Sequence, residues 1–263
     1  MWEATPISPV TGGFGRIDTS DEQRLREAAQ ILSRASRVAV LTGAGISAES
    51  GVPTFRGAGG FWQGRPAMEL ATPEAFRRDP EGVWEFYRFR IAGLQGDRPN
   101  AGHRALAELE DLCDRFWLIT QNVDGLHRAA GSQNVIELHG TLESVRCQAC
   151  SYRCPSGELP DQPVPVCPTC GDRLRPAVVW FGESLPGQAL AEAEEAIGDC
   201  EVMLVVGTSG VVQPASSFAR WARSRGARVI EVNLESTPIS DSVDVSLFGP
   251  AGVILPRLVE MTA

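Results

Sequence analysis

The stretch Val38-Ala39-Val40-Leu41-Thr42-Gly43-Ala44-Gly45-Ile46-Ser47-Ala48 joins a short apolar run to a glycine-rich turn. A continuous aliphatic run of this length marks a strand buried on both faces, as in a parallel sheet. The turn fits the pattern G-x-G-x-x-(G/A). In that pattern Gly43 permits the tight turn, Gly45 lets a backbone approach a diphosphate, and Ala48 allows close helix packing. Backbone N–H groups at the following helix start would favour an anion there. Taken alone, the turn is also compatible with a purely structural role.

Outward from this segment, residues 116–120, 202–206, 229–232 and 135–138 repeat the short apolar pattern, each leading into a Gly, Asn or polar turn. Helical patterns over 101–113, 187–197 and 214–224 separate them. A further helix is expected over 21–36, spaced by Leu25, Ala28, Ala29 and Leu32, with Ser20 or Asp21 as N-cap. Strand–helix alternation implies right-handed crossovers and an α/β fold with a doubly wound, mostly parallel, Rossmann-like sheet. A dehydrogenase would carry an acid ~20 residues beyond the glycine turn, at the end of the next strand. Residues 61–69 do not read as a strand, which disfavours hydride transfer.

Two segments break the alternation. Residues 57–95 are aromatic-rich and largely helical, and 142–175 are rich in Cys and Pro without core-forming periodicity. The expected organisation is therefore a flexible N-terminal arm (1–20), a nucleotide-binding domain (21–56, 96–141, 176–263), and a small domain from 57–95 and 142–175.

Cys147-x-x-Cys150 and Cys167-x-x-Cys170 are separated by 16 residues, the spacing of four thiolates around one tetrahedral zinc. With all four positions closed by sulfur, such a zinc is structural. Cys154 falls outside the spacing and reads as a spare thiol; Cys113 and Cys200 read as packing residues.

The formal charge of −9 and pI of about 5.0 argue against a nucleic-acid surface. No apolar run approaches the ~20 residues needed to cross a bilayer. The first residues lack an apolar leader, so the expected location is the cytoplasm. The chain holds no lysine, all 24 basic residues being arginine. That excludes Schiff-base catalysis by its own side chains and a lysine-dependent phosphate loop.

Of three histidines, His139 follows an apolar run directly, at a strand's carboxyl end where sites of open α/β sheets gather. Gln121-Asn122-Val123-Asp124 leaves another strand end. His139 as general base, with Asn122 and Asp124 as orienters, is the arrangement this pattern suggests. His103 and His127 read as cap or packing residues, and no Ser-His-Asp or Cys-His set stands out.

Taken together these pieces resemble the sirtuin family over about residues 20–258. The resemblance rests on Gly43-Ala44-Gly45-Ile46-Ser47, Gly51-Val52-Pro53-Thr54-Phe55-Arg56, Thr120-Gln121-Asn122-Val123-Asp124 and His139-Gly140. It continues through the four cysteines, Val179-Trp180-Phe181-Gly182-Glu183, Gly207-Thr208-Ser209 and Val232-Asn233. It implies an NAD-dependent protein-lysine deacylase, in which the acyl oxygen attacks the nicotinamide ribose and nicotinamide leaves. His139 then deprotonates a ribose hydroxyl as the acyl group migrates to ADP-ribose.

By the same resemblance Asp124 and the Val123 backbone hold the carboxamide, Asn122 lies at the ribose and Gln121 near its hydroxyls. Arg56 and Ser209 meet the diphosphate, and Asn233 with Glu235 the adenosine ribose. Ala44, Ser47, Phe55, Trp62, Gly207, Thr208 and Leu234 are further cofactor contacts, with Ala251 near the adenine. An acyl-lysine peptide would lie as a strand between Gly182–Glu183 and residues 210–212.

Tyr87 and Arg90 stand three apart on one helix face. They are similar to the pair that selects succinyl and malonyl groups in one sirtuin class, and Ala71 to the small residue that leaves room for a longer chain. A desuccinylase and demalonylase is therefore the implied activity. Plain deacetylation, mono-ADP-ribosyl transfer and a non-catalytic NAD sensor are the alternatives. NAD, one structural zinc and acyl-lysine substrates are the expected ligands, with no nucleic acid, no membrane and a monomeric state.

Overall fold

A computed structural model describes residues 19–53, 60–94, 96, 98–160 and 162–263. The expected arm therefore lies almost wholly outside the described residues, as do Phe55 and Arg56.

The strands, in chain order, are β1 (Arg37–Thr42), β2 (Phe61–Trp62), β3 (Arg65–Pro66), β4 (Arg115–Thr120), β5 (Val135–Glu137) and β6 (Gly140–Cys147). They continue as β7 (Arg153–Pro155), β8 (Leu174–Val178), β9 (Val202–Val206), β10 (Arg228–Asn233) and β11 (Val245–Phe248). The helices are α1 (Thr19–Leu32), α2 (Ala44–Ser47), α3 (Ala67–Leu70), α4 (Pro73–Arg78) and α5 (Pro80–Leu94). After them come α6 (Ala101–Asp111), α7 (Leu126–Ala129), α8 (Gly187–Asp199), α9 (Ala215–Ser224) and α10 (Ala251–Glu260).

Six strands form one wholly parallel sheet in the order β11-β10-β9-β1-β4-β5. Strand order reverses between β1 and β9, the place where open α/β sheets bind ligands outside their carboxyl ends. Both faces are covered. Leu25, Leu106, Leu118, Leu204 and Leu255 close one side under α1, α6 and α10, and Leu41, Ile119, Ile197, Met203 and Phe218 close the other under α8 and α9. Val202–Val206 is buried at every position, so its apolar run has no polar alternation.

Helix α1 begins at Thr19, so Ser20 and Asp21 lie within it and neither is the N-cap, and it ends at Leu32, short of Ser36. After Leu32 only Ala35 continues the apolar spacing, and the chain forms a turn, with Ser33 N–H still donating to Ala29 O. Strand β11 and helix α10 extend the fold beyond the elements expected.

Residues 142–175 do contribute to a core. An antiparallel sheet, β7-β6-β8, packs Leu142, Val145, Leu174 and Val178 against Phe76, Trp84, Phe86 and Tyr87 of α4 and α5. Its strands start at Gly140 and end at Val178, so the expected domain joints at 141/142 and 175/176 fall inside strands. Residues 61–66 add a two-residue-strand hairpin to the otherwise helical 57–95 segment. Among the described residues no helix is long and apolar enough to cross a membrane.

Candidate active site

The parallel register aligns the carboxyl ends of β1, β4 and β5. Thr42 pairs with Thr120, and Thr120 with Glu137. Gly43, Gln121 and Leu138 thus leave the sheet side by side, and His139 follows Leu138 directly. The turn after β1 meets the turn after β9: Gly43 N–H donates to Val206 O at 3.0 Å and Gly45 N–H to Gly207 O at 2.8 Å. A Cβ on Gly45 would lie 2.7 Å from Gly207 Cα, and one on Gly207, at φ 60°, would lie 2.5 Å from Ile46 N. Gly45 is therefore required by the opposing turn, and its N–H is committed within the protein rather than left for a diphosphate.

Behind the turn lies a buried polar network. Ser47 Oγ donates to Asp124 Oδ2 at 2.7 Å and accepts from Asn122 Nδ2 at 3.1 Å. Asn122 Nδ2 also donates to Gly43 O at 3.1 Å, which leaves the amide oxygen as the atom of that side chain available to a ligand. Leu126 N–H holds Asp124 Oδ1 at 3.0 Å. Burial raises the Asp124 carboxyl above its usual range, while these hydrogen bonds and the Arg90 charge oppose the rise. Gln121 Nε2 donates to Thr208 Oγ1 at 3.1 Å. Asn233 Nδ2 donates to Thr208 O at 2.8 Å, joining the end of β10 to the same loop.

His103 and His127 are structural, as expected. His103 completes a capping box on α6 with Asn100, and His127 lies buried with Nε2 2.9 Å from Thr42 Oγ1. Burial pushes His103 down to about 4 and His127 well below the ordinary histidine value.

His139 differs. Its Nδ1 sits 2.9 Å from the backbone oxygen of Gln121. A carbonyl can only accept, so Nδ1 carries the proton and Nε2 keeps its lone pair. Burial lowers the pKa from the usual value, with the Gln121 bond pulling partly back. The ring is therefore neutral and basic at Nε2 near pH 7.

One cavity of about 520 Å³ gathers these groups, within the range of small-molecule sites. Gly43, Ala44, Gly45, Ser47, Gly207, Thr208, Ser209, Asn233 and Glu235 line it. Gln121, Asn122, Val123, Asp124 and His139 line its depth. Ala71, Tyr87, Arg90 and residues 179–183 line the same cavity. Trp62, Leu234 and Ala251 are not among the lining residues. Trp62 packs edge-on against Phe86 at 5.9 Å, Leu234 is 62% exposed, and Ala251 is buried at the start of α10.

Three features escape the sequence reading. Arg175, buried, makes a bidentate pair with Glu183 at 2.6 and 2.9 Å, so Glu183 is spent on holding its own loop. Glu231, 1% exposed, accepts from Thr237, Ser240 and Ser246 hydroxyls at 2.5, 2.6 and 3.1 Å. This fixes the 233–240 loop, whose Asn233 and Glu235 line the cavity. An acid inside the apolar run 229–232 was the available signal. Met68, 41% exposed, adds an apolar edge near Ala71.

The four cysteines converge away from this cavity. Their Sγ atoms all lie within 4.8 Å of one another, with Cys147···Cys170 at 3.4 Å and Cys150···Cys167 at 3.6 Å. Tetrahedral Zn–S bonds of ~2.3 Å require sulfurs about 3.8 Å apart, so the set fits zinc. Cys154 is not one of the four.

A family model described as the Sir2 family matches residues 43–214. A Thermococcus kodakarensis protein named NAD-dependent protein deacylase is 52% identical over 89% of this chain and 94% of its own length. A solved Sir2 homolog in complex with NAD superposes with TM-score 0.86 at 45% identity, covering 90% of this chain and 93% of that one. A Sir2 complex with a p53 peptide and NAD+ superposes with TM-score 0.82 at 33% identity, covering 90% and 97%.

Proposed function

We infer, from the premise that this chain belongs to the Sir2 family and is an NAD-dependent protein deacylase, that it prefers lysines carrying short dicarboxylic acyl groups, succinyl and malonyl. The observation that carries this reading is the sharing of one cavity by Tyr87, Arg90 and the base His139. A guanidinium and a phenol offer charge-assisted and neutral donors to a carboxylate. Ala71, small and buried, leaves volume beside them. Burial lowers the Arg90 pKa from its ordinary value, and Tyr87 and Asp124 oppose the shift; a guanidinium stays charged regardless.

The geometry supports the following part for the protein's own residues. His139 takes a proton at Nε2 while Gln121 O holds the opposite nitrogen. Asn122 offers its amide oxygen to a ribose hydroxyl, and the Ser47–Asp124 pair fixes the wall behind it. The glycine seam between the β1 and β9 turns brings two backbones close enough to leave a crevice for the dinucleotide, whose bond to nicotinamide supplies the energy of transfer. The acylated peptide enters beside residues 181–183 and Val212. Cys147, Cys150, Cys167 and Cys170 would hold the zinc, which would tie β6 to the loop before β8.

The test is a panel of acetyl-, malonyl- and succinyl-lysine peptides with NAD, read by mass spectrometry. Replacing Arg90 by Met removes interactions worth about 2 kcal/mol, or roughly 30-fold in succinyl kcat/KM. Acetyl turnover should suffer far less. Equal losses on both acyl groups would show that Arg90 does not read the acyl terminus.

A further inference from the structure

We propose that Trp180 is a positioning residue for acyl selectivity, its indole N–H fixing the Tyr87 hydroxyl as a hydrogen-bond donor to the acyl terminus. This rests on the acidic-acyl reading above and adds the residue that enforces it.

An indole nitrogen can only donate. Trp180 Nε1 lies 2.8 Å from Tyr87 Oη, so the phenol oxygen is the acceptor and its own proton must point elsewhere. Among the described residues no acceptor for that proton is found, and Tyr87 lines the cavity together with Arg90. Burial pushes the Tyr87 pKa up to about 12, so the proton is retained at neutral pH. A carboxylate at the acyl terminus satisfies this donor. An acetyl methyl leaves it unmet, and an unmet buried donor costs binding. The same bond thus favours the acidic group and penalises the neutral one.

Trp180 is itself held on three sides. The Arg175 guanidinium carbon lies 3.2 Å from the indole ring centroid, and Phe76 lies at 5.2 Å. Arg175 also donates to Val178 O at 2.8 Å while clasping Glu183. Glu183 in turn accepts from the Trp180 backbone N–H at 2.8 Å. The Arg175–Glu183 pair therefore locks both the ring and the backbone of the residue that orients the phenol. A phenylalanine at 180 could fill much of the space but would have no proton to give, which would free Tyr87 Oη to turn.

The experiment compares Trp180→Phe, Tyr87→Phe, Arg90→Met and the Trp180→Phe/Tyr87→Phe double variant on succinyl- and acetyl-lysine peptides of one sequence. Trp180→Phe should lower the succinyl-to-acetyl ratio of kcat/KM roughly 5-fold, mainly through succinyl KM, and should lower it no further once Tyr87 is Phe. If Tyr87→Phe lowers the ratio and Trp180→Phe does not, or if its effect persists undiminished in the Tyr87→Phe background, the inference is overturned while the acidic-acyl reading stands. If neither Tyr87→Phe nor Arg90→Met moves the ratio, that reading fails and carries this one with it. A second measurement does not need Trp180→Phe to be active. The chain has six tryptophans, and their indole N–H signals can be followed by ¹⁵N NMR. The one missing in Trp180→Phe should shift upfield in Tyr87→Phe, and an unmoved signal overturns the hydrogen bond.

Discussion

Replacing Gly45 by Ala tests whether the crevice depends on two turns pressed backbone to backbone. The new Cβ would lie 2.7 Å from both Gly207 Cα and Gly207 O, where ordinary contacts begin near 3.4 Å. Neither partner is a flexible side chain, so the turns must part by about 0.7 Å. That separation strains the 2.8 Å bond from Gly45 N–H to Gly207 O. Overpacking costs ~1–3 kcal/mol and a weakened buried hydrogen bond ~1 kcal/mol, which together lower Tm by roughly 5–10 °C in a chain of this size. Differential scanning fluorimetry, with and without NAD, reads the loss, and NAD should stabilise the variant less than the parent. Gly93→Ala is the control. It lies in α5 with nothing within 4 Å of the added carbon, and helix propensity alone predicts a gain of up to ~1 kcal/mol. A Gly45→Ala protein melting with the parent and binding NAD equally well would refute the reasoning.

Acid should destabilise the fold before carboxylates titrate. His103 is held neutral to about pH 4 and His127 lower still, whereas unfolded histidine binds its proton near 6.5. The unfolded state therefore takes up more protons below about pH 6.5, and His103 alone removes about 2–3 kcal/mol by pH 4.5. Urea midpoints at pH 7, 5.5 and 4.5 check the slope, which His103→Gln should flatten. For the same reason the acid limb of kcat/KM, if set by His139, should fall below pH 6.5; a limb above pH 7 would exclude His139 as the group being titrated. Metal analysis should return one zinc per chain, retained in Cys154→Ser and lost in Cys170→Ser, with chelation loosening the β7-β6-β8 sheet before the large one.

The parallel strands were legible because burial on both faces leaves continuous apolar runs, and the cysteine spacing was legible because tetrahedral sulfur allows few alternatives. Helix α10 was less so, since Pro256 interrupts its pattern although its buried face, Leu255, Leu258 and Val259, is clear in three dimensions. The small sheet hid for another reason. Leu142, Val145 and Leu174 meet across a long cysteine-bearing loop, so no local period announces them. The Arg175–Glu183 clasp is equally invisible locally, because an arginine in a Cys- and Pro-rich tract gives no sign that it will be buried under an indole ring. The outer cavity residues Tyr87, Arg90 and Ala71 came from resemblance, and the inner ones, His139, Asn122 and Asp124, from strand-end position.

Seen from the cavity, the chain separates two kinds of information. The turns proposed to hold the dinucleotide stand at the rim of the six-stranded sheet, where shifting one turn disturbs its opposite number. On the proposed reading the acyl group meets Ala71, Tyr87 and Arg90 from the α3–α5 segment and Trp180 beyond β8, cavity-lining residues none of which belongs to that sheet. On that reading selectivity can drift by exchange of a few side chains on the outer module, while the reaction core is inherited intact. A single scaffold of this design can thus yield enzymes that share one chemistry and differ in the modifications they erase.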